Sequence, residues 1–306
     1  MSLSLLTAQQ SIIMLLLIAS GIICFKANII TQNGSKELSK FLLNVVSPAV
    51  IISSFQTDFN STLIKNLLIA EGLSLLSYAI TIFLSYIIIR GKNDIDIERF
   101  SCIYSNCAFM GIPLVNALFG GEGVFYLTAY IATFNLIVWT HGAIQISGVR
   151  NFQSVKKAIF SPALISIFIG LAIFIFKIHL PMTITMTIEY IGNINTPLAM
   201  ITAGITIAQT NMLNALKKPR IYFLSAVRLI IIPLILTAVI KPFNIDETVS
   251  MTVIIAASAP SAAMGTLLSI QYGKNSLYAS EIFAVTTVLS VITIPIMIII
   301  FQSIPF

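Results

Sequence analysis

Charged residues are scarce in this sequence. Only 9% of its 306 residues are Asp, Glu, Lys or Arg, and it contains only two histidines and one tryptophan. Hydrophobic residues make up 57% of the chain and the mean hydropathy is +0.98. This balance excludes an ordinary water-soluble domain, in which about a quarter of the residues are charged. The sequence therefore predicts an integral membrane protein.

Cysteines and the motifs of catalysis are also sparse. Cys24, Cys102 and Cys107 lie within or beside apolar segments and lack the spacing of a disulfide framework or a metal site. Neither histidine has the neighbours of a metal site or a nucleophilic triad. The stretch GGEG at 120–123 follows no strand and precedes no lysine, so it indicates a turn and not a phosphate loop. We therefore expect no enzyme, no ATP-driven pump, no cofactor and no metal.

Apolar segments, by contrast, are abundant and long. A helix needs about 20 apolar residues to cross a bilayer. Ten such segments lie near 8–27, 38–57, 64–90, 99–119, 123–147, 158–178, 184–208, 219–240, 248–271 and 277–303. The first has no basic start and no cleavage site, so we interpret it as a membrane helix and not as a signal peptide. The ten segments leave no room for a soluble domain.

The basic residues are distributed unevenly between the loops. Odd-numbered loops hold 13 of the 17 lysines and arginines, even-numbered loops hold three, and Arg228 lies inside the eighth segment. Basic loops stay on the cytoplasmic side, so this asymmetry predicts that both termini of a multi-pass protein lie outside the cytoplasmic (inner) membrane. It also accounts for the net charge of +6 through contact with anionic lipid headgroups, without nucleic acid.

The sequence carries an internal repeat. Asn44–Pro48 reads NVVSP and Asn193–Pro197 reads NINTP, 149 residues later, and Gly21 matches Gly170 at the same offset. Two halves of five helices, 1–150 and 151–306, enter the membrane from opposite sides because five is odd. Inverted repeats are typical of secondary transporters, whose substrate site lies near the midplane between the halves.

Two prolines in the fourth and ninth segments predict broken helices. Pro113 and Pro260 lie 147 residues apart, and proline both lacks an N–H and clashes with the carbonyl four residues earlier. We therefore expect the fourth helix to kink or unwind at Pro113, helped by Gly111, and the ninth to break at Pro260. Crossed broken helices would point their positive N-termini at a central cavity, which suits an anion such as a carboxylate.

Polar and helix-breaking residues around these features are the candidates for substrate binding. They are Asn106, Gly111, Pro113, Asn116, Ser258, Pro260, Ser261, Asn44 and Asn193. Asn44 and Asn193 each allow a second interpretation, in which the amide only satisfies a local kink.

Three charged residues inside the segments are candidates for coupling or charge pairing, because a buried charge in a membrane is costly. They are Glu71, Arg228 and Glu281. Arg228 would neutralise a glutamate or attract an anionic substrate, and a glutamate would carry a coupling proton. Alternatively the glutamates lie near helix ends and reach the interface, the interpretation that we favour for Glu281.

The fourth segment resembles a known family. Asn106-x4-Gly111-Ile112-Pro113-Leu114 followed by Gly120 is similar to the fourth-helix motif of the auxin efflux carrier family, whose bacterial members include malonate and malate permeases. Supporting stretches are ELSKFLLNVVSPAVIISSF, Arg228-Leu229 with Pro233, and TTVLSVITIPI. Cys107 and Glu281 depart from the family pattern.

This resemblance implies an all-α integral membrane fold. Its ten helices would form two inverted five-helix repeats with crossed broken helices 4 and 9, as in bile acid/sodium symporters and sodium/proton antiporters. It also implies separate scaffold and transport parts, organic anion substrates and a homodimer.

We therefore expect a secondary transporter for small organic anions, a mono- or dicarboxylate such as malate or malonate, with possible proton or sodium coupling. A sodium-coupled bile-acid-type symporter and a non-transporting membrane sensor remain alternatives. The anion, the direction of flux and the coupling ion stay open.

Overall fold

The computed structural model describes residues 3–91, 93–148 and 159–303. Within these ranges the secondary structure is helical apart from one isolated β-bridge. The predicted start of the sixth segment at residue 158 and the boundary between 1–150 and 151–306 lie outside the described residues. In chain order the α-helices are α1 (Leu3–Lys26), α2 (Gln32–Phe41), α3 (Ser47–Ser54), α4 (Ser61–Ile88), α5 (Ile95–Ile103), α6 (Ile112–Ile137), α7 (Ala143–Ser147), α8 (Pro162–Ile175), α9 (Met182–Asn193), α10 (Asn195–Ala208), α11 (Met212–Ala215), α12 (Pro219–Ala226), α13 (Ile232–Ile240), α14 (Glu247–Ser258), α15 (Met264–Gln271) and α16 (Ser276–Ser303).

Seven helical segments of the described chain are long and apolar enough to cross a membrane. They are Leu6–Lys26, Gln32–Ser54, Ser61–Ile88, Cys107–Ser147, Met182–Ala208, Pro219–Phe243 and Ser276–Ser303. Two apolar helices, α8 and α14, are shorter. The 41-residue segment Cys107–Ser147 is divided at Gly120, where φ is 60° and ψ is −151°, so the predicted turn at GGEG is present. The protein is therefore a multi-pass, all-helical membrane protein, and the count of ten crossings stays a prediction.

Polar side chains fix where several of these helices begin. Thr31, Asn60, Ser161 and Asp246 each accept a hydrogen bond from an amide in the first turn of the helix that follows. The first amides of a helix have no partner within the helix, and hydrocarbon offers none. These caps therefore place the helix starts at the ends of the apolar segments.

The helices pack in two groups. The scaffold group consists of α1, α2, α3, α8, α9 and α10, in which α1 packs along α10 and α3 packs on α8 and α9. The crossing group consists of α4 to α7 and α12 to α16, with α14 packed against α4, α6, α13 and α16. The groups touch mainly where α1 meets α16 and α6, and where α6 meets α3 and α8.

Two glycines allow α1 and α10 to approach closely. A Cβ atom on Gly21 would overlap the backbone carbonyl oxygen of Ile201, and one on Gly204 would overlap that of Ile18. Each helix thus presents a glycine to the backbone of the other, as in the small-residue contacts of other membrane helix pairs. Gly170 of α8 faces the ring of Phe55 at the end of α3 in a similar way.

The fourth segment breaks earlier than the sequence predicted. Its regular helix α5 ends at Ile103, the chain is irregular over 104–106, and a π-helical turn at Cys107–Gly111 leads into α6. Pro113 lies at the start of α6, directly after the π turn that contains Gly111, so the helix is distorted beside Pro113 but its break lies earlier, over 104–106. The ninth segment does break at Pro260, between α14 and α15.

The same arrangement recurs at two other prolines. π-helical turns at Leu42–Val46 and Val227–Ile231 directly precede the helices in which Pro48 and Pro233 occupy the second position. A proline lacks an N–H and crowds the carbonyl of the previous turn, and a π turn relieves both conflicts without unwinding the helix. A fourth π turn, Val138–Gly142, precedes α7 and has no proline after it.

Candidate functional site

The two broken segments meet backbone to backbone. Ser105 and Ser261 form an antiparallel bridge, in which the N–H of Asn106 donates to the carbonyl of Pro260 (2.8 Å) and the N–H of Ala262 donates to the carbonyl of Tyr104 (2.9 Å). We call residues 104–106 and 258–263 the crossing. These bonds satisfy backbone groups that the breaks release, so irregular backbone is tolerated deep inside the helix bundle.

Arg228 closes one side of the crossing. Its guanidinium is 1% exposed and donates to the carbonyls of Cys102 (3.1 Å), Ala257 (2.8 Å) and Ala259 (3.1 Å). These carbonyls belong to the C-terminal ends of α5 and α14, which carry partial negative charge. The hydrogen bonds go to backbone carbonyls and not to a glutamate, so Arg228 neutralises helix ends.

The other side of the crossing is formed by helix N-termini. The π turn begins at Cys107 and α15 begins at Met264, immediately after the two breaks. In α15 the N–H groups of Gly265 and Thr266 already donate to the carbonyls of Ala262 and Ala263, and the peptide dipoles of both helices point their positive ends towards the break. Ala108, Phe109, Ala263 and Met264 are half-buried, whereas the crossing residues before them are buried.

Polar atoms at and next to the crossing are buried without a hydrogen-bond partner in the protein. They include Nδ2 of Asn106, Oγ of Ser258 and Oγ1 of Thr287. Asn106 is 6% exposed. Leaving a buried donor unpaired costs roughly 1–3 kcal/mol, so the side-chain amide of Asn106 is suited to bind a polar ligand. The backbone N–H of Ser261 is occupied, because it donates to Oγ1 of Thr286 at 3.2 Å.

The structure separates the predicted binding residues into two sets. Asn106, Ser258, Pro260 and Ser261 lie at the crossing and are buried. Gly111 and Pro113 are buried one to two turns further along, where Gly111 packs near the side chain of Leu127.

Three predicted asparagines lie away from the crossing. Asn116 is exposed near Gly120, and Asn44 and Asn193 are exposed on the scaffold group. The buried polar contact in the repeat motifs is instead the hydrogen bond from the Ser47 hydroxyl to Oδ1 of Asn195, at 3.2 Å. Asn44 and Asn193 are therefore not buried at the crossing, and a role for them in the central site stays a prediction.

Glu71 and Glu281 have different surroundings. Glu71 is half-buried and accepts a hydrogen bond from the Thr133 hydroxyl at 2.7 Å. Glu281 is 1% exposed and forms an ion pair with Lys218. The expectation that Glu281 reaches the interface is wrong, because α12 brings a lysine of the preceding loop to it. Neither glutamate pairs with Arg228 in the described structure.

Sequence reasoning missed several residues of this region. Ser105 adjoins the predicted Asn106, but no feature of the sequence indicated that the helix breaks at 104–106 and not at Pro113. Thr286 and Thr287 begin the quoted stretch TTVLSVITIPI without having been assigned a role, and both are fully buried beside the crossing. Within the described part of the chain, no group of three or more His, Cys, Asp or Glu residues is placed to hold a metal ion.

Two clefts lie apart from the crossing, on either side of the connection between α3 and α4. One, of about 800 Å³, includes Asp58, Glu122 and Asp246, and the other, of about 620 Å³, includes Lys177 and His179. Neither cleft is lined by a crossing residue, so the crossing is separated from this end of the molecule.

Comparison with known proteins agrees with this architecture. Residues 7–298 match the family model described as membrane transport protein. An uncharacterized transporter of Methanothermobacter thermautotrophicus is 23% identical over 291 residues, which cover 92% of this chain and 94% of that protein. A protein of Rhizobium meliloti, whose name proposes malonate as its transported substrate, is 24% identical over 210 residues, 64% of each chain. Family and relatives indicate transport and not enzymatic catalysis. The chain therefore belongs to this membrane transport protein family, the auxin efflux carrier family that its fourth segment resembles.

Proposed function

We propose that this protein is a secondary transporter that moves small organic anions, mono- or dicarboxylates such as malate or malonate, across the cytoplasmic membrane by alternating access. The observation that carries the proposal is the crossing. Two helix N-termini start there, beside the unpartnered and buried Nδ2 of Asn106. A carboxylate has the charge and the acceptor oxygens that these donors need.

The two sides of the crossing have opposite electrostatic character. Arg228 donates three hydrogen bonds to carbonyls at the negative C-terminal ends of α5 and α14. None of these three hydrogen bonds goes to the N-terminal side of the crossing. An anion at the N-termini therefore meets positive dipole ends, while the carbonyls that would repel it are already paired. This division favours an anion over a cation at the site.

The packing supports movement of one helix group against the other. Gly21 and Gly204 hold α1 and α10 in backbone contact, so the scaffold group is tightly joined. The crossing group is joined by the bridge and by Arg228. The contacts of α1 with α16 and of α6 with α3 and α8 form the surface along which we expect the groups to move.

Transport is tested by counterflow in proteoliposomes. Vesicles loaded with unlabelled malonate should accumulate labelled malonate from outside, and protein-free vesicles should not. Malate, indole-3-acetate and a neutral diamide of malonic acid serve as competitors. Malate and indole-3-acetate carry carboxylates and should compete, whereas the diamide should not. Failure of folded protein to accumulate labelled malonate would contradict the proposal. Independent variation of pH and sodium gradients identifies proton or sodium coupling.

We further propose that residues 1–150 and 151–306 are inverted five-helix repeats, with both termini outside. The sequence match of Gly21 with Gly170 is accompanied by similar packing. Gly21 of the first half faces α10, in the second segment of the other half, and Gly170 of the second half faces the end of α3, in the second segment of the first half. The bridge between Ser105 and Ser261 joins the fourth and ninth segments, as such a repeat requires.

We also propose a homodimer formed through α9. The side chains of α9 are largely exposed, with Tyr190 at 68%. Glu189 and Asn193 are exposed within an apolar span, and so is Asn44, the residue that corresponds to Asn193 in the repeat. A carboxylate facing hydrocarbon costs roughly 2.5–3.5 kcal/mol, and a two-fold contact would cover it. Native mass spectrometry should give twice 33.4 kDa. A monomer in detergent and in nanodiscs alike would contradict the dimer.

A further inference from the structure

A histidine outside the anion site contacts the crossing. His141 lies on the π turn Val138–Gly142, and its Nδ1 is 2.7 Å from the hydroxyl of Tyr104. Tyr104 is itself a crossing residue, because its backbone carbonyl accepts the N–H of Ala262. The ring of His141 is therefore one side chain away from the backbone at which the broken segments meet.

The other side of His141 leads to the surface. Nε2 lies 3.4 Å from the hydroxyl of Tyr86, a residue of α4 with an exposed side chain, and the guanidinium of Arg99 lies 4.4 Å from the centre of the Tyr86 ring. These groups are near the ends of α4 and α5 that the basic loops predict to be cytoplasmic. A continuous series of polar groups thus runs from this surface through Tyr86 and His141 to Tyr104.

The hydrogen bonds suit a gain of one proton. The hydroxyl of Tyr104 donates to the carbonyl of Ile137 at 3.2 Å, so Nδ1–H of His141 donates to the oxygen of Tyr104. In the neutral ring Nε2 then accepts the hydroxyl proton of Tyr86. A proton bound from water at Nε2 reverses this bond, and Nε2–H donates to the oxygen of Tyr86. The imidazolium therefore has both N–H groups bonded without any other change.

The charged groups around His141 are few. Tyr86 faces it from α4, Tyr104 faces it from the end of α5, and Arg99 of α5 reaches it through the Tyr86 ring. Within the described residues His141 forms no ion pair with a carboxylate. An anion arriving at the crossing would thus be the new negative charge that this histidine senses.

We propose that His141 carries the proton that accompanies the anion during transport. The assignment rests on the proposed anion transport. A bound anion raises the proton affinity of His141, and by reciprocity a protonated His141 raises the affinity for the anion. The proton returns to water on the other side of the membrane when the anion is released, which completes one turnover. The only bonds made or broken are those to the proton.

The first test observes the proton directly. The chain has two histidines, so His179→Gln leaves His141 as the only one. Ring nitrogen NMR of this variant in nanodiscs should show a protonation step that saturating malonate moves to higher pH. Tyr104→Phe should alter the titration. A ring that stays neutral both with and without malonate would overturn the assignment.

The second test separates coupling from transport. Wild-type protein and His179→Gln should take up malonate faster when the outside is made acidic, whereas malonate uptake by His141→Gln should not respond to the outside pH. Equal stimulation of His141→Gln and wild type would overturn the assignment. Absence of malonate counterflow from the wild type would instead contradict the proposed function, and the titration would still decide whether His141 binds a proton.

Discussion

Arg228 shows how a charge inside a membrane segment is accommodated. It pairs with no carboxylate in the described structure, and three backbone carbonyls at the ends of two broken helices share its charge. Carbonyls at helix C-termini lack partners within their helices, and lipid offers none. One guanidinium, with donors in a fixed fork, satisfies three of them together.

Replacing Arg228 should therefore destabilise the fold before it affects substrate affinity. Arg228→Met leaves three buried carbonyls without donors, and we expect a loss of roughly 3 kcal/mol or more. Arg90→Met is the matched control, because the side chain of Arg90 is exposed and donates only to the carbonyl of Ile87. Thermal unfolding followed by the single tryptophan measures both. Equal stability of the two variants would contradict the role of Arg228.

At this scale the sequence identified residue types better than positions. Asn106, Ser258 and Ser261 are at the crossing because they adjoin true breaks. Asn116 has the same chemistry, but continuous helix carries it away from the crossing and to an exposed position. Local sequence could not distinguish these cases, because it does not show which face of a helix is covered.

Among the helical elements, π turns explain why the position of one break was mispredicted. A proline in a membrane segment signals a conflict in backbone hydrogen bonding, but a π turn resolves it at Pro48, Pro113 and Pro233 without a break. At Pro260 no such turn is present and α14 ends. The apolar segments themselves were predictable because hydropathy alone defines them. The choice between a π turn and a break depends on what packs against the segment.

Glycine packing yields a prediction at the scale of elements. Gly21→Ala places a Cβ atom against the backbone oxygen of Ile201, which cannot rotate away, so α1 and α10 must separate. We expect a loss of about 1–3 kcal/mol or more. Gly72→Ala in α4 is the control, since a Cβ there meets nothing within 4 Å and alanine favours helix. A Gly21→Ala variant as stable as Gly72→Ala would show that this contact is not tight.

For the whole molecule, the distribution of basic residues predicts sidedness. With Cys24, Cys102 and Cys107 replaced by alanine, His179→Cys should react with a membrane-impermeant maleimide added to intact cells. Lys274→Cys should react only after the membrane is opened, because its loop is predicted to be cytoplasmic. The reverse pattern would invert the proposed topology, and reaction at both positions in intact cells would contradict the crossings between them.

The architecture as a whole was more predictable than the site. Composition established a multi-pass membrane protein, and the fourth segment indicated the family that the comparison shows. The repeat motifs predicted that the fourth and ninth segments would meet, and the bridge between Ser105 and Ser261 joins them. The sequence did not reveal the contacts of Arg228, Glu281 and His141, because each depends on residues distant in the chain.

The most direct test of the central claim compares two asparagines ten residues apart in malonate counterflow. Asn106→Ala removes the unpartnered donor at the crossing, and Asn116→Ala removes an exposed amide of the same kind. Loss of a hydrogen bond to a charged group costs about 1.5–3 kcal/mol, so Asn106→Ala should lower kcat/KM roughly 10- to 100-fold while Asn116→Ala stays near wild type. Equal effects of the two substitutions, in proteins of equal stability, would contradict anion binding at the crossing.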